Sequence, residues 1–254
     1  MSDWQPRQYL AFADERTRPA RDLLARVPLA APRLIYDLGC GPGNSTQVLV
    51  DTYPQADIIG IDKSPAMQEA ARKACPSARF EAGDLAHWVP QGQPDLLFSN
   101  AAFQWLPDHL ALLKRLLSGL GKNAVLALQM PDNLGEPSHR LMAEAAAPWS
   151  IKLNAAMAAR AVLPSPQAYY DALKPHCARL DIWHIIYNHP LQGAGAIVEW
   201  LKTTGLRPWL DPLDAVEQAA FLAAYEKLVA QAYPAGADGT VLLRFPRLFL
   251  VAQI

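Results

Sequence analysis

A short β-like run, Arg33-Leu34-Ile35-Tyr36-Asp37-Leu38, ends in the glycine cluster Gly39-Cys40-Gly41-Pro42-Gly43, and a helical stretch from Asn44 to Tyr53 follows at once. This strand, glycine loop and helix constrain the fold more than any other feature of the chain. Glycines at such a junction let the backbone turn sharply and come close to a ligand. Similar units follow in order. Ala56–Ile61 reads as a second strand, and Ser64-Pro65 opens a helix with Ser as the cap and Pro in the first helical position. The apolar face expected for that helix is Met67, Ala70, Ala71 and Ala74. Arg79–Ala82 and Asp95–Ser99 read as third and fourth strands. Leu110, Leu113, Leu117 and Leu120 mark a helix closed by Gly121, and Ala124–Leu128 is a fifth strand. Strands alternating with helices imply a parallel sheet covered on both faces.

The second half breaks this rhythm. Residues from about 135 to 178 read as mainly helical and interrupted by prolines. Leu180–Tyr187 and Val241–Ala252 alternate like strands, and helices are expected at Ala196–Leu201 and Ala215–Ala232. The reading is an α/β fold: a doubly wound, mostly parallel, Rossmann-like sheet with a helical cap. Residues 1–254 form a single domain, with an N-terminal helical lid at 1–30 and cap insertions at 131–178 and 190–240 over the active site.

Composition narrows the partners. With 23 Lys and Arg against 24 Asp and Glu, the net charge of −1 gives no field to draw in nucleic acid or an anionic membrane. No apolar run is long enough to span a bilayer, and the N-terminus lacks a signal-peptide layout, so a cytoplasmic chain is expected. Cys40, Cys75 and Cys177 are too scattered for a disulfide framework or a metal site. His184 and His189 lack ligating partners at suitable spacing, so no metal is expected.

The glycine loop discriminates between cofactors. Asn44 stands where a dinucleotide fingerprint would need its last glycine, leaving a GxGxG loop with Asp37 two residues before it. A diphosphate would be repelled by that carboxylate, whereas a cationic amino acid would not. The loop therefore favours S-adenosylmethionine over NAD. Asp62 closes the second strand, where a carboxylate accepts from ribose hydroxyls. Asp84, followed by Leu85, closes the third, where side chain and backbone can read an adenine. Asn100, Gln104 and Trp105 follow the fourth strand. A tight turn, a helix-start aspartate and a turn aspartate are the purely structural alternatives for the loop, Asp62 and Asp84.

These strand-end segments, together with Gly60-Ile61-Asp62, Gly83-Asp84 and Ser99-Asn100, resemble the motifs of class I S-adenosylmethionine-dependent methyltransferases. Phe103-Gln104-Trp105-Leu106-Pro107-Asp108-His109, Gln129-Met130-Pro131-Asp132-Asn133, Thr204–Leu210 and Phe245-Pro246-Arg247-Leu248-Phe249 resemble the bacterial trans-aconitate 2-methyltransferases more closely, over essentially the whole chain. That resemblance implies the class I methyltransferase fold and methyl transfer to a carboxylate of trans-aconitate. It implies a monomethyl ester and S-adenosylhomocysteine as products, and a role in detoxification. It assigns cofactor contacts to Asp37, Gly39, Gly41, Asp62, Asp84, Leu85, Asn100, Gln104 and Trp105. A methyltransferase for another small di- or tricarboxylate is the alternative, with an NAD-dependent dehydrogenase behind it.

A carboxylate is already ionised at neutral pH, so no catalytic base is needed, and the sequence offers no base or nucleophile motif. Arginines are the natural clamps for a polycarboxylate, because the guanidinium fork matches a carboxylate. Arg207 and Arg244 are the first candidates, the latter because an arginine among the strand apolars Leu242-Leu243-Arg244-Phe245 is costly unless paired or functional. Arg247 and, from the N-terminal segment, Tyr9 and Arg16 follow.

Overall fold

The computed structural model describes residues 13–202 and 204–254. Seven strands form one sheet in the order β3-β2-β1-β4-β5-β7-β6. Strands β1 (Leu34–Leu38), β2 (Asp57–Asp62), β3 (Arg79–Ala82), β4 (Leu96–Asn100) and β5 (Val125–Pro131) pair in parallel. β7 (Thr240–Gln253) lies between β5 and β6 (Arg179–Gln192). Just past β5 the Asp132 N–H donates to the Pro246 carbonyl in the middle of β7, and just before β5 the Ala124 carbonyl accepts from the Ile254 N–H at the end of β7. β7 therefore runs antiparallel to β5. The sheet is mixed, with a parallel majority, as the sequence implies.

The chain divides into two compact units. One, the sheet unit, holds residues up to Pro131, Leu163–His184 and Leu248–Ile254; the other, the helical unit, holds Asp132–Val162 and Ile185–Arg247. Of the expected insertion at 131–178, the stretch from Leu163 onward is thus counted with the sheet unit.

In the sheet unit, β1, β4 and β5 are buried almost throughout, which is why their sequences are runs of apolar residues instead of alternations. α1 (Ala13–Leu24) buries Ala20, Leu23 and Leu24 and packs on α2 (Asn44–Thr52) and β5. Residues before 13, where the rest of the expected lid falls, lie outside the described residues. α3 (Pro65–Ala74) starts as expected, with the Ser64 hydroxyl accepting from the Met67 N–H. Its buried face is rotated from the expected one: Met67, Gln68 and Ala71 are buried, whereas Ala74 is exposed. Gln68 can be buried because its amide donates to the Asp62 carbonyl. α4 (His109–Ser118) ends at Gly119, not Gly121, and buries Leu112, Leu113, Leu116 and Leu117. α7 (Pro166–Leu173) adds Tyr169 and Leu173 to the same core.

The helical unit contains α5 (Pro137–Ala145), α6 (Asn154–Met157), α8 (Gly193–Lys202), α9 (Arg207–Leu210) and α10 (Ala215–Ala232). α10 begins with a full capping box, Asp214 and Glu217 each accepting from the other's backbone N–H. Its core is aromatic: Phe221 stacks with Trp209 and Tyr225. The Tyr225 hydroxyl donates to the Ser138 carbonyl, and the Tyr233 hydroxyl accepts from the Ser138 N–H.

Candidate active site

The glycine loop lies where β1 and β4 run side by side with β2 on the other flank, the point at which strand order reverses. In open α/β sheets this is where ligands bind. Gly39, Gly41 and Gly43 all have positive φ, at 75°, 54° and 93°. Their reasons differ. A Cβ on Gly39 would stand 2.3 Å from the Ala102 Cβ, and one on Gly43 would press on Ala71 at 3.3 Å. A Cβ on Gly41 would meet no protein atom within 4 Å. Gly39 and Gly43 are therefore fixed by packing, while Gly41 presents bare backbone to open space.

Asp37 is fully buried beneath this loop. Its Oδ2 accepts from the Ser45 and Thr46 hydroxyls, at 2.8 and 2.7 Å, which ties β1 to the first turn of α2. Its Oδ1 is buried with no protein partner. Burial, resisted by those two hydroxyls and reinforced by the nearby Asp62 charge, pushes its carboxyl up to about 6. Nearby, Asn44 Oδ1 and Gln104 Oε1 are likewise buried without protein partners. All three are acceptors facing no donor, the pattern left by a donor-rich or cationic ligand.

Asp62 does more than sequence reasoning assigned to it. Its Oδ2 accepts from the Gly41 N–H and its Oδ1 from the Ser64 N–H, both at 2.9 Å. The same carboxylate thus pins the open glycine and starts α3. A carboxylate has about four lone-pair sites, so two remain for a diol. Asp84 is exposed, and its Oδ1 accepts from the Ala86 N–H at 3.0 Å, the geometry of a turn aspartate. Leu85 is buried beside Gly39, its side chain part of the core.

Beyond β4 the chain is held in an uncommon conformation. Ala101 has φ 61°, and its N–H donates to the Gln129 carbonyl at 3.0 Å. The Gln129 amide donates to Asn100 Oδ1, and the Gln104 amide donates to the Ala101 carbonyl. A non-glycine residue in this region costs energy and persists only where its surroundings impose it. Here the imposed turn sets Asn100, Gln104 and the half-buried Trp105 in one short stretch. Asp37, Gly39, Gly41, Asp62, Asn100 and Gln104 are thus brought to one edge of the sheet, with Asp84 and Leu85 at the next strand end.

The structure places the candidate arginines in different surroundings. Arg244 lies on the outward side of β7, with a side chain 48% exposed, and its guanidinium pairs with Glu136. The strand's alternation, buried at Val241 and Leu243 and exposed at Leu242 and Arg244, places it in solvent, so the cost that singled it out is not incurred. Arg247 is 4% exposed, its guanidinium 4.8 Å above the Phe245 ring. Arg207 is half-buried at the start of α9. Tyr9 and the side chain of Arg16 lie outside the described residues.

Sequence reasoning passed over a polar cluster in the helical unit. Asn133 is 1% exposed, and its Oδ1 accepts from the Arg160 guanidinium at 2.8 Å. Burial, offset in part by Asp132, pulls Arg160 down to about 10. His139, buried beside Arg160, is driven down to about 3 by burial first and by that guanidinium second, so it stays neutral. Asn133 ends the Gln-Met-Pro-Asp-Asn block, which was a signal; Arg160 sits in Ala158-Ala159-Arg160-Ala161 with no pattern to mark it.

His109 Nε2 is within hydrogen-bond distance of the Tyr169 hydroxyl, and burial lowers its pKa. No cluster of three or more potential metal ligands occurs among the described residues.

Residues 35–123 match the methyltransferase domain family. Proteins named trans-aconitate 2-methyltransferase align end to end. One from Rhodopseudomonas palustris strain BisB5 is 59% identical over 99% of both chains. Another, from Methylobacterium nodulans, is 56% identical over 100% of this chain and 99% of its own. The chain belongs to the trans-aconitate 2-methyltransferase family. Among solved structures, the YcgJ protein of Bacillus subtilis superposes with a TM-score of 0.60 at 13% identity, covering 93% of this chain and 97% of its own. Haemonchus contortus phosphoethanolamine N-methyltransferase 2, solved with phosphomonomethylethanolamine and S-adenosylhomocysteine, superposes with a TM-score of 0.55 at 13% identity, over 92% of this chain and 52% of its own. At that identity the likeness is one of fold, and it is the fold described above for the trans-aconitate 2-methyltransferase family member.

Proposed function

We propose that the chain transfers a methyl group from S-adenosylmethionine to a carboxylate of trans-aconitate, yielding the monomethyl ester and S-adenosylhomocysteine. The observation that carries this reading is 59% identity over nearly the full length to a protein of that name. The glycine-loop edge suits the cofactor: buried acceptors without donors, and a glycine whose missing side chain leaves the backbone open. S-adenosylmethionine would supply a methyl group on a positively charged sulfur. Asp37 Oδ1 would receive its ammonium, the open Gly41 backbone its amino-acid portion, and the two spare lone pairs of Asp62 its ribose. Asp84, the Leu85 backbone, Asn100, Gln104 and Trp105 would flank the rest, with Gly39 shaping the turn.

The chain's part in the reaction is to bind, align and keep out water. The attacking oxygen is ionised without help. Holding two reactants in line contributes on the order of 7–11 kcal/mol of barrier lowering. Arg207 and Arg247 are the substrate arginines this reading favours, with Tyr9 and Arg16 behind them, while Arg244 is already engaged by Glu136. This reading has the reaction take place in the cytoplasm, with small molecules as partners. No described helix is long and apolar enough to cross a membrane, and the near-zero net charge gives nucleic acid no purchase.

The test is transfer of a tritiated methyl group from S-adenosylmethionine to a panel of small polycarboxylates. Label is expected in an ester of trans-aconitate. Label only in another di- or tricarboxylate would move the reading to that substrate, and no label in any would remove it.

A further inference from the structure

The sheet unit treats the two oxygens of Asp37 differently. Oδ2 takes the Thr46 hydroxyl at 2.7 Å and the Ser45 hydroxyl at 2.8 Å, while Oδ1 is buried with no protein partner. A hydroxyl has one proton to give, and an ionised carboxylate can only accept, so both side chains donate. Tying β1 to α2 would be served as well by one hydroxyl on each oxygen. Placing both on one oxygen leaves the other bare in a residue that is 0% exposed. A buried acceptor without a donor is costly, so natural chains rarely keep one without a reason.

The same asymmetry decides where a proton would go. Oδ2 already takes two hydrogen bonds and Oδ1 takes none, so a proton reaching this carboxyl settles on Oδ1. That is the atom an ammonium would use, and proton and ammonium therefore compete for it. The hydroxyls bias the contest, because a hydrogen bond to the charged form opposes the upward push of burial. Thr46 resists that push more than Ser45 does. The other titratable groups that act on or feel Asp37 are Asp62 at the end of β2, Cys40 in the loop and Cys75 after α3. Burial holds both thiols above their ordinary range, so they stay neutral where Asp37 titrates, and Asp62 adds to the upward push.

We infer that Ser45 and Thr46 are positioning residues for the cofactor: by holding Oδ2 they keep Oδ1 of Asp37 charged and free for the ammonium of S-adenosylmethionine. This rests on the reading of Asp37 as the ammonium acceptor and adds to it the two residues that act through it. Neither hydroxyl touches the cofactor; together they set the pH range over which the site can take it.

Thr46→Val is the decisive variant, since valine keeps the shape and removes the donor. Binding of S-adenosylhomocysteine, which carries the same ammonium, is followed by calorimetry from pH 5 to pH 8. Wild-type affinity should fall as pH drops through about 6. In Thr46→Val the midpoint of that fall should move up by about one pH unit. Affinity at pH 8 should stay within about threefold of wild type, because Ser45 still holds Oδ2. Thr46→Ser restores the hydroxyl and should return the midpoint to its wild-type place. Methylthioadenosine has the nucleoside but no ammonium, and its affinity should be flat with pH and alike in wild type and variants. A loop merely loosened by the substitution would instead weaken both ligands at every pH, which overturns the positioning role. Should Thr46→Val not fold, Ser45→Ala carries the same measurements with a smaller shift. A wild-type midpoint that stays put in the variants overturns the role of the hydroxyls alone. A wild type that binds S-adenosylhomocysteine equally at pH 5 and pH 8 overturns Asp37 as the ammonium acceptor and the proposal with it. A wild type that binds neither ligand overturns the cofactor reading itself.

Discussion

The glycine-loop edge of the sheet unit and the Asn133 cluster of the helical unit both bury ionisable groups, with opposite sign. At the sheet edge the buried charge is an acid, and the atoms left over are acceptors: Asp37 Oδ1, Asn44 Oδ1 and Gln104 Oε1. In the helical unit the buried charge is a base, and the leftover atom of Asn133 is a donor. In each place desolvation pushes the group toward its neutral form, raising Asp37 and lowering Arg160. The sheet edge thus leaves acceptors without donors, whereas the helical unit leaves a donor without an acceptor.

The largest expected effect breaks the sheet edge by sterics. Gly39→Ala combines a positive φ with a Cβ 2.3 Å from Ala102, costs of about 1–2 kcal/mol and 1–3 kcal/mol that together should lower the melting temperature sharply. Gly41→Ala has a similar φ but no neighbour. It should melt closer to wild type while losing S-adenosylmethionine affinity in calorimetry. Equal loss of stability in the two would end the distinction between the packed and the open glycine.

Next comes Asp37, where the sign follows from the direction of its shift. A carboxyl raised to about 6 from 3.8 holds its proton more tightly folded than unfolded. Folding stability therefore falls as pH rises from about 4 to 6 and stays reduced above that, by about 3 kcal/mol. Asp37→Asn should accordingly raise the melting temperature of the ligand-free protein at pH 8 and lose that advantage near pH 4. The same variant should bind S-adenosylmethionine more weakly. For the wild type, kcat/KM for the cofactor should fall below pH 6, whereas kcat at saturating cofactor should persist through 6.5. A single-proton loss of kcat centred at 6.5 in folded protein would instead mean a histidine takes part.

Asp62→Ala sits third. Losing the Gly41 anchor and the ribose acceptor together should weaken cofactor binding by about 1.5–3 kcal/mol, with little change in KM for the acid. Unchanged cofactor affinity by calorimetry would remove Asp62 from the site. The smallest effect is expected at Arg244. Its pair with Glu136 is half-exposed, and such pairs contribute about 0–1 kcal/mol. Arg244→Ala should leave KM and melting temperature nearly as they were; a large rise in KM would restore it as a substrate residue.

The two regions also differ in how much of them could be read in advance. The sheet edge was legible because its requirements are backbone requirements. Positive φ demands glycine at 39, 41 and 43, a strand buried on both faces demands an apolar run, and Ser64-Pro65 writes a helix start in two letters. The helical unit offers no such code. Whether an arginine is buried depends on the register of the strand or turn that carries it, and one position separates solvent from core. Arg244 and Arg247 lie three apart on β7, an odd spacing that puts them on opposite faces of an alternating strand. Sequence alone cannot say which face is covered, so the burial expected at Arg244 is found at Arg247 instead. Arg160 was invisible for a related reason: it follows the four-residue helix α6 in an alanine-rich stretch, and only the fold brings it to Asn133.

The place of β7 in the sheet has a consequence for how the chain can be made. It is the last strand in sequence, yet it stands inside the sheet, between β5 and β6. As the polypeptide emerges from the ribosome, β1 to β5 can pair in the order of their synthesis, but β6 then has no edge to join. It must wait through some fifty further residues, with its unpaired backbone exposed, until Thr240–Gln253 arrives and is inserted. Vectorial folding therefore stalls one strand short until β7 has been made, and only then can the seven-stranded sheet close. A nascent chain arrested before residue 240 should be the species most dependent on chaperones and most easily cut by protease.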